Sequence, residues 1–341
     1  MRRRFAFVTG LAVAALALLL ATAPRGAHAD DGSVARDLLV RSQAAVYDHT
    51  FDGTVRVEWI EGGKPRHRTV AVHVGDGVIR LGDDRLVSAG TRRLLRTGSG
   101  WRVLWGAGSN GSDPDPTSKY RFVVTRTGAV ANRPATQVAV SRSGTSGVRE
   151  RMFFDDETGM LLRRDQLDER GRLVRRFTFV TMSTPIAVEG VDTGALPKVD
   201  AKSGRDAPHA LKKIPDDLEA PKRTGNGFKL AGVYSQPDGS VQLYYSDGLL
   251  GLSVFEREGK LAWDSLPAGG RTVELGDVTA KVYVTAAGTA VVWGSHDVTY
   301  TCVTDAPLDE VAAVAADLSG PTGSSVVEDV GQFVTAPFSW S

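Results

Sequence analysis

From Phe51 to Val303 the apolar residues of this chain recur mostly every second position, and that period dictates a mainly β protein. A strand turns successive side chains to opposite faces, so alternation buries one face and leaves the other polar. Strands are expected over 51–60, 69–74, 78–81, 94–96, 101–105, 120–124, 136–140, 148–154, 160–167 and 173–182. A second group is expected over 228–234, 241–246, 251–256, 278–285, 289–293 and 298–303. The turns Asp155-Asp156-Glu157-Thr158-Gly159 and Asp168-Glu169-Arg170-Gly171 put glycine where a reversal needs positive φ, so the last three strands of the first group should form a meander.

Helical spacing occurs twice. Ala35, Leu38, Leu39, Ser42 and Ala45 form one stripe within 34–46, and Val311, Val314, Ala315 and Leu318 form another. The second helix is expected to open on Asp305 as its N-cap, with Pro307 in the first turn, Asp309 and Glu310 near the positive end of the dipole, and Gly320-Pro321 as its stop. Between 189 and 227 the hydrophobic rhythm fails and Pro, Lys, Asp and Gly accumulate, as in a linker.

Before the first helix, Met1-Arg2-Arg3-Arg4 precedes an apolar run from Phe5 to Ala23, and Ala27-His28-Ala29 closes the segment. Those are the three regions of a secretory signal. Cleavage after Ala29 is expected, the alternative being an uncleaved anchor, since the run is near the ~20 residues a span needs. The expected organisation is an export signal (1–29), an N-terminal β domain (30–188), a linker (189–227), a smaller α+β domain (228–320) and a tail (321–341).

Forty-one Lys and Arg nearly cancel 40 Asp and Glu, so no global field draws nucleic acid. The single cysteine, Cys302, excludes an internal disulfide and lies in an apolar strand pattern, where a buried thiol is expected. Gly106-Ala107-Gly108-Ser109-Asn110-Gly111 has dinucleotide-loop spacing, but Ser112-Asp113-Pro114-Asp115-Pro116 forbids the helix whose N-terminus such a loop needs. His49, His67, His73, His209 and His296 are scattered singly, with no metal-ligand spacing. No serine sits in a G-x-S-x-G elbow. Neither catalysis nor a cofactor is expected.

Arg163-Arg164 and Arg175-Arg176 fall on adjacent strands of the meander, where an ordinary solvated face is the first expectation and a positive patch for an acidic peptide or a lipid headgroup is the alternative. Adjacent residues point to opposite faces, so only one arginine of each pair can join any one patch.

The hairpin from Val148 through Asp155 to Arg163, followed by Asp168-Glu169-Arg170-Gly171, resembles the RseB/MucB family, with a match shared by related lipoprotein carriers of the LolA type. More specific is Tyr244-Tyr245-Ser246-Asp247-Gly248-Leu249-Leu250-Gly251-Leu252-Ser253-Val254-Phe255, which resembles that family's second-domain signature. The resemblance implies a LolA-like half-open β-barrel with a helical lid, followed by a smaller α+β domain. It also implies a partner, the extracytoplasmic domain of a membrane anti-sigma factor, shielded from proteolysis and released when lipid or misfolded envelope protein is sensed. Ser246, Asp247, Gly248 and Leu249 stand as the family signature, and as a bare sequence they read most simply as a hairpin turn.

The alternative function is a lipid or lipoprotein carrier of the envelope. Trp105, Phe122, Phe153, Met160 and Phe179 are the expected apolar lining of its concave site. The sequence leaves the oligomeric state open.

Overall fold

Strand alternation only becomes a core when neighbouring strands are in register, and here almost every ladder is an antiparallel pairing of neighbours in sequence. The computed structural model describes residues 31–183 (apart from 76–77, 82–83, 90–91, 98–99 and 107–114), 209–210, and 220–319 (apart from 237–238 and 286–287). The side chains at 43–44, 46–48, 75–106, 126–127 and 209–210 lie outside that description. So do the expected export signal, most of the expected linker and the tail.

The chain opens with helix α1 (Asp31–Asp48). Strands β1 (Phe51–Glu61), β2 (Lys64–Gly75), β3 (Val78–Leu81), β4 (Asp84–Ala89), β5 (Arg92–Thr97) and β6 (Gly100–Gly106) follow. After a 3-10 turn at Pro116–Ser118 come β7 (Tyr120–Val130), β8 (Arg133–Arg142), β9 (Val148–Asp155), β10 (Leu161–Leu167) and β11 (Leu173–Ser183). These form one open eleven-stranded sheet in the order β6-β5-β4-β3-β2-β1-β11-β10-β9-β8-β7. The expected meander is β9, β10 and β11, and Gly159 and Gly171 take φ of 74° and 72° in its turns.

The stripe Ala35, Leu38, Leu39, Ser42 and Ala45 is buried in full, so α1 lies against the sheet as its spacing predicts. It contacts β7, β2 and β3. The face beneath it carries Phe51, Val55, Val57, Val72, Val74, Phe177 and Phe179, all buried. Phe179 meets Phe51 and Phe177 edge-on, each pair with centroids 5.7 Å apart.

The second sheet comprises β12 (His209–Ala210), β13 (Lys229–Ser235), β14 (Val241–Ser246), β15 (Gly251–Glu258), β16 (Arg271–Leu275), β17 (Val278–Thr285), β18 (Gly288–Ser295) and β19 (Val298–Thr304). Its order is β12-β13-β14-β15-β19-β18-β17-β16, so β15 skips to β19. Its first strand falls inside the stretch expected as linker, since His209 and Ala210 pair with Ser235 and Tyr234.

Helix α2 (Leu308–Leu318) lays Val311, Val314, Ala315 and Leu318 on that sheet, in one core with Leu243, Tyr245, Val254, Trp293 and Cys302. Burying each Val or Leu side chain contributes roughly 1.5–3 kcal/mol. Trp293 stacks on Tyr300 at 5.1 Å and 6°. Cys302 is fully buried, and burial pushes its thiol well above the ordinary range.

One expectation about α2 is corrected. Asp305 is not its N-cap: the helix begins at Leu308, Pro307 occupies the cap position, and no side chain caps it. Asp309 and Glu310 do stand in the first turn. Asp305 is occupied elsewhere, by an arginine of the first sheet.

Candidate functional site

The expected signature Ser246, Asp247, Gly248 and Leu249 forms the turn between β14 and β15. Its construction is local: Ser246 Oγ accepts from the Gly248 N–H at 3.1 Å, and Asp247 Oδ1 accepts from the N–H groups of Leu249 (3.0 Å) and Leu250 (2.8 Å). Gly248 takes a φ of 91°, which a residue with a Cβ reaches only at a cost. All four residues are buried, which a solvent-facing hairpin tip would not be.

The reason is the second carboxylate oxygen of Asp247. It accepts from the Tyr120 hydroxyl and from the Lys119 ammonium, both at 2.7 Å, so the turn is docked against the first residues of β7. Lys119 also donates to Glu310 Oε2 at 3.1 Å and stands 4.3 Å from the centroid of the Phe228 ring. Asn226 Nδ2 donates to the same Glu310 oxygen at 2.7 Å. Burial, then the adjacent Asp247, pushes the Tyr120 hydroxyl far above its ordinary range, so it remains a donor.

A second polar cluster lies further along the same face. Arg164 donates to both oxygens of Glu150, at 2.7 and 2.6 Å, and through Nη1 to Asp305 Oδ2. Gln166 Nε2 donates to the Asp305 carbonyl at 2.7 Å, and Arg175 Nη2 donates to the Thr285 carbonyl at 2.5 Å. Burial disfavours the Arg164 charge, but Glu150 and Asp305 outweigh that and raise its pKa. For Arg175, burial outweighs the nearby Asp305 and lowers the pKa to about 10, which still leaves it charged at neutral pH. Together these contacts join the first sheet to the second.

The arginine pairs divide as alternation demands. Arg164 and Arg175 turn toward the second sheet, whereas Arg163 and Arg176 share Asp165 on the opposite face.

The five apolar residues expected to line a concave site are not all brought together. Phe122 and Phe179 lie on the α1 side of the sheet, buried in two different clusters. Met160, at the β9–β10 turn, is buried in the same cluster as Phe179. Phe153 is on the other face, because it pairs with Arg163 while its neighbours Met152 and Phe154 point inward. Trp105 pairs with Arg93 on β6, and its side chain lies outside the described residues. Sequence reasoning missed Lys119, Tyr120, Glu150, Arg164 and Asp305 as joint residues, and no local pattern flags them.

Among the described residues no group of three or more His, Cys, Asp or Glu side chains is arranged to hold a metal ion. No helix among them is long and apolar enough to cross a membrane.

In comparison with known proteins, residues 88–199 match the family described as the MucB/RseB N-terminal domain. No curated protein matches the chain. Among solved structures, MucB in complex with MucA(peri) is 22% identical, covering 83% of this chain and 97% of that one, with a TM-score of 0.45. The MucA/MucB complex of Pseudomonas aeruginosa is also 22% identical, covering 85% and 98%, with a TM-score of 0.44. MucB alone is 24% identical, covering 83% and 97%, with a TM-score of 0.43.

Proposed function

We propose, taking as premise that residues 88–199 match the MucB/RseB N-terminal domain, that this protein binds the outer domain of a membrane anti-sigma factor and so regulates an envelope-stress sigma factor. That family match is the observation that carries the reading. The signal-like residues 1–29 support it, because such a partner is met only outside the cytoplasm, whether the signal is cleaved near Ala29 or kept as an anchor. The protein acts by binding and not by catalysis.

In this reading the two sheets are the two domains, and the polar joint between them sets how they are presented to a partner. Asp247 is its central residue, because one carboxylate both shapes the β14–β15 turn and holds Lys119 and Tyr120. The joint is not polar alone, because one apolar cluster takes in Tyr120, Phe122 and Met152 of the first sheet together with Phe228, Leu249 and Leu250 of the second unit.

The test is capture of single-span anti-sigma outer domains by the immobilised chain lacking residues 1–29. Retention of one such domain, abolished by competing soluble outer domain, is the expected result. Failure to retain any of them, with or without added lipid, would sink the proposal. The carrier reading has less behind it, since Phe122 and Phe179 are packed into separate clusters.

A further inference from the structure

The face of the first sheet opposite α1 carries an arginine-rich surface that the joint around Tyr120, Arg164 and Arg175 does not use. Strand register sets Val123, Ala139, Arg151, Asp165, Arg176 and Glu58 side by side across β7, β8, β9, β10, β11 and β1. The next row holds Phe153, Arg163 and Arg56. At a strand spacing of about 4.8 Å, six strands make a face roughly 24 Å wide.

Charge on this face is unbalanced and held in place. A single carboxylate, Asp165, whose side chain is 2% exposed, accepts from Arg163 (2.9 and 2.5 Å) and from Arg176 (2.7 and 3.1 Å). Arg163 lies 4.8 Å from the Phe153 ring centroid, which fixes its plane. Glu58 pairs with Arg56 at 3.1 Å and meets Arg176 at 3.6 Å. Arg121 and Arg151 are exposed, and among the described residues neither pairs with a carboxylate. The chain as a whole carries only +1, so the positive excess is a matter of placement.

Apolar groups share the face. Val123, Val174 and Val180 are 42%, 39% and 47% exposed, and they are three of the five large hydrophobic residues exposed among the described ones. By strand alternation all three stand on the arginine side.

We infer that this face docks on a bilayer containing anionic phospholipid, with the arginines on lipid phosphates and the valines at the headgroup level. Guanidinium groups suit phosphate oxygens geometrically. A bilayer presents many phosphates over a broad area, matching a wide face of dispersed arginines. A protein partner would be expected to use buried aromatic anchors in a pocket instead. Attraction of this kind is weak per residue and fades beyond a Debye length of about 8–10 Å, so it depends on salt. The contacts of the second sheet fall on the other side, at Tyr120, Arg164 and Arg175, while Asp309 of α2 meets Arg149 at 3.4 Å near the start of β9.

The experiment is co-sedimentation of the chain lacking residues 1–29 with vesicles of phosphatidylglycerol and phosphatidylcholine in equal parts, against vesicles of phosphatidylcholine alone. Binding is expected only to the anionic vesicles, with loss in roughly 0.5 M salt. The double variant Arg121→Glu with Arg151→Glu should bind about tenfold more weakly. Lys260→Glu with Arg271→Glu, an equal charge change at two exposed positions of the second unit, should leave binding as it was. Circular dichroism confirms that both variants are folded. No binding, equal binding to both vesicle types, or equal loss in the two variants overturns the inference. Capture on immobilised polyglutamate without vesicle binding overturns it too, and marks the face as a site for acidic polypeptide. The inference does not rest on the proposed function, since anti-sigma capture and vesicle binding are read separately.

Discussion

The Tyr120 hydroxyl donates to Asp247 Oδ2 across 2.7 Å, and this bond connects two sheets whose contributing residues are 127 positions apart in the chain. The other oxygen of the same carboxylate caps the β14–β15 turn through Leu249 and Leu250. Turn formation and inter-sheet contact therefore depend on one side chain. Asp247→Ala should lower unfolding stability by about 3 kcal/mol, because it leaves a buried ammonium short of a partner and two N–H groups uncapped. Tyr120→Phe removes one bond only and should cost about 1 kcal/mol. Urea titrations of the two variants give the comparison, and equal losses would show that Asp247 has no dual role.

Arg164 lies between Glu150 and Asp305 with its side chain 5% exposed. Arg164→Met should cost about 3–5 kcal/mol, because two buried carboxylates are left facing each other. Neutralising all three together, as Glu150→Gln, Arg164→Met and Asp305→Asn, should recover part of that loss. Chemical denaturation reads both values, and a triple variant less stable than the single one would contradict the account.

Asp165 gives a pH signature. Its burial raises the carboxyl, but the hydrogen bonds from Arg163 and Arg176 outweigh that, and the net shift is downward from 3.8. A depressed folded-state pKa stabilises the protein fully above the ordinary carboxylate value and loses that contribution as pH falls through the folded value. Melting temperature should thus decline below about pH 4, and Asp165→Asn should flatten the decline. Identical slopes for the two proteins would rule out this origin.

Gly53 pairs with Met182 across β1 and β11, and a Cβ there would lie 2.5 Å from the Thr181 carbonyl oxygen and 3.3 Å from the Phe179 ring. Backbone cannot yield as a side-chain tip can. Gly53→Ala should lower stability by about 1–3 kcal/mol, measured by thermal melting. A neutral result would mean that β1 and β11 separate more freely than their ladder suggests.

Cys302 should not react with a thiol reagent while the protein is folded, since its thiol is fully buried and its pKa is raised. Complete labelling in denaturant supplies the reference. Rapid labelling of the native protein would show that the β15–β19–β18 core opens.

Much of the strand pattern was open to reading because alternation is a local property. Strands β1, β9, β10 and β11 emerge from their own residues and from the glycine turns between them. Strand β16 was not foreseen: Arg271–Leu275 offers only Val273 and Leu275 as apolar residues, too short a run to show a period. Strand β4, Asp84–Ala89, was missed for the same reason. Asp305 was misjudged because Asp before Pro and two acids is the usual start of a helix, while its actual partner, Arg164, is 141 residues away.

The sequence by itself determined the β-rich character, the two helical stripes, the buried cysteine, and the rule that Arg163-Arg164 and Arg175-Arg176 must each divide between faces. Each follows from the repeat of a strand or a helix, which is set by covalent geometry. Only the tertiary structure decided which arginine of each pair turned inward, that Asp247 would meet Tyr120, and that Phe153 would stand apart from Phe122 and Phe179. Those outcomes depend on strand register and on how two sheets approach. A buried charge takes whichever opposite charge that approach delivers, and no local period encodes it.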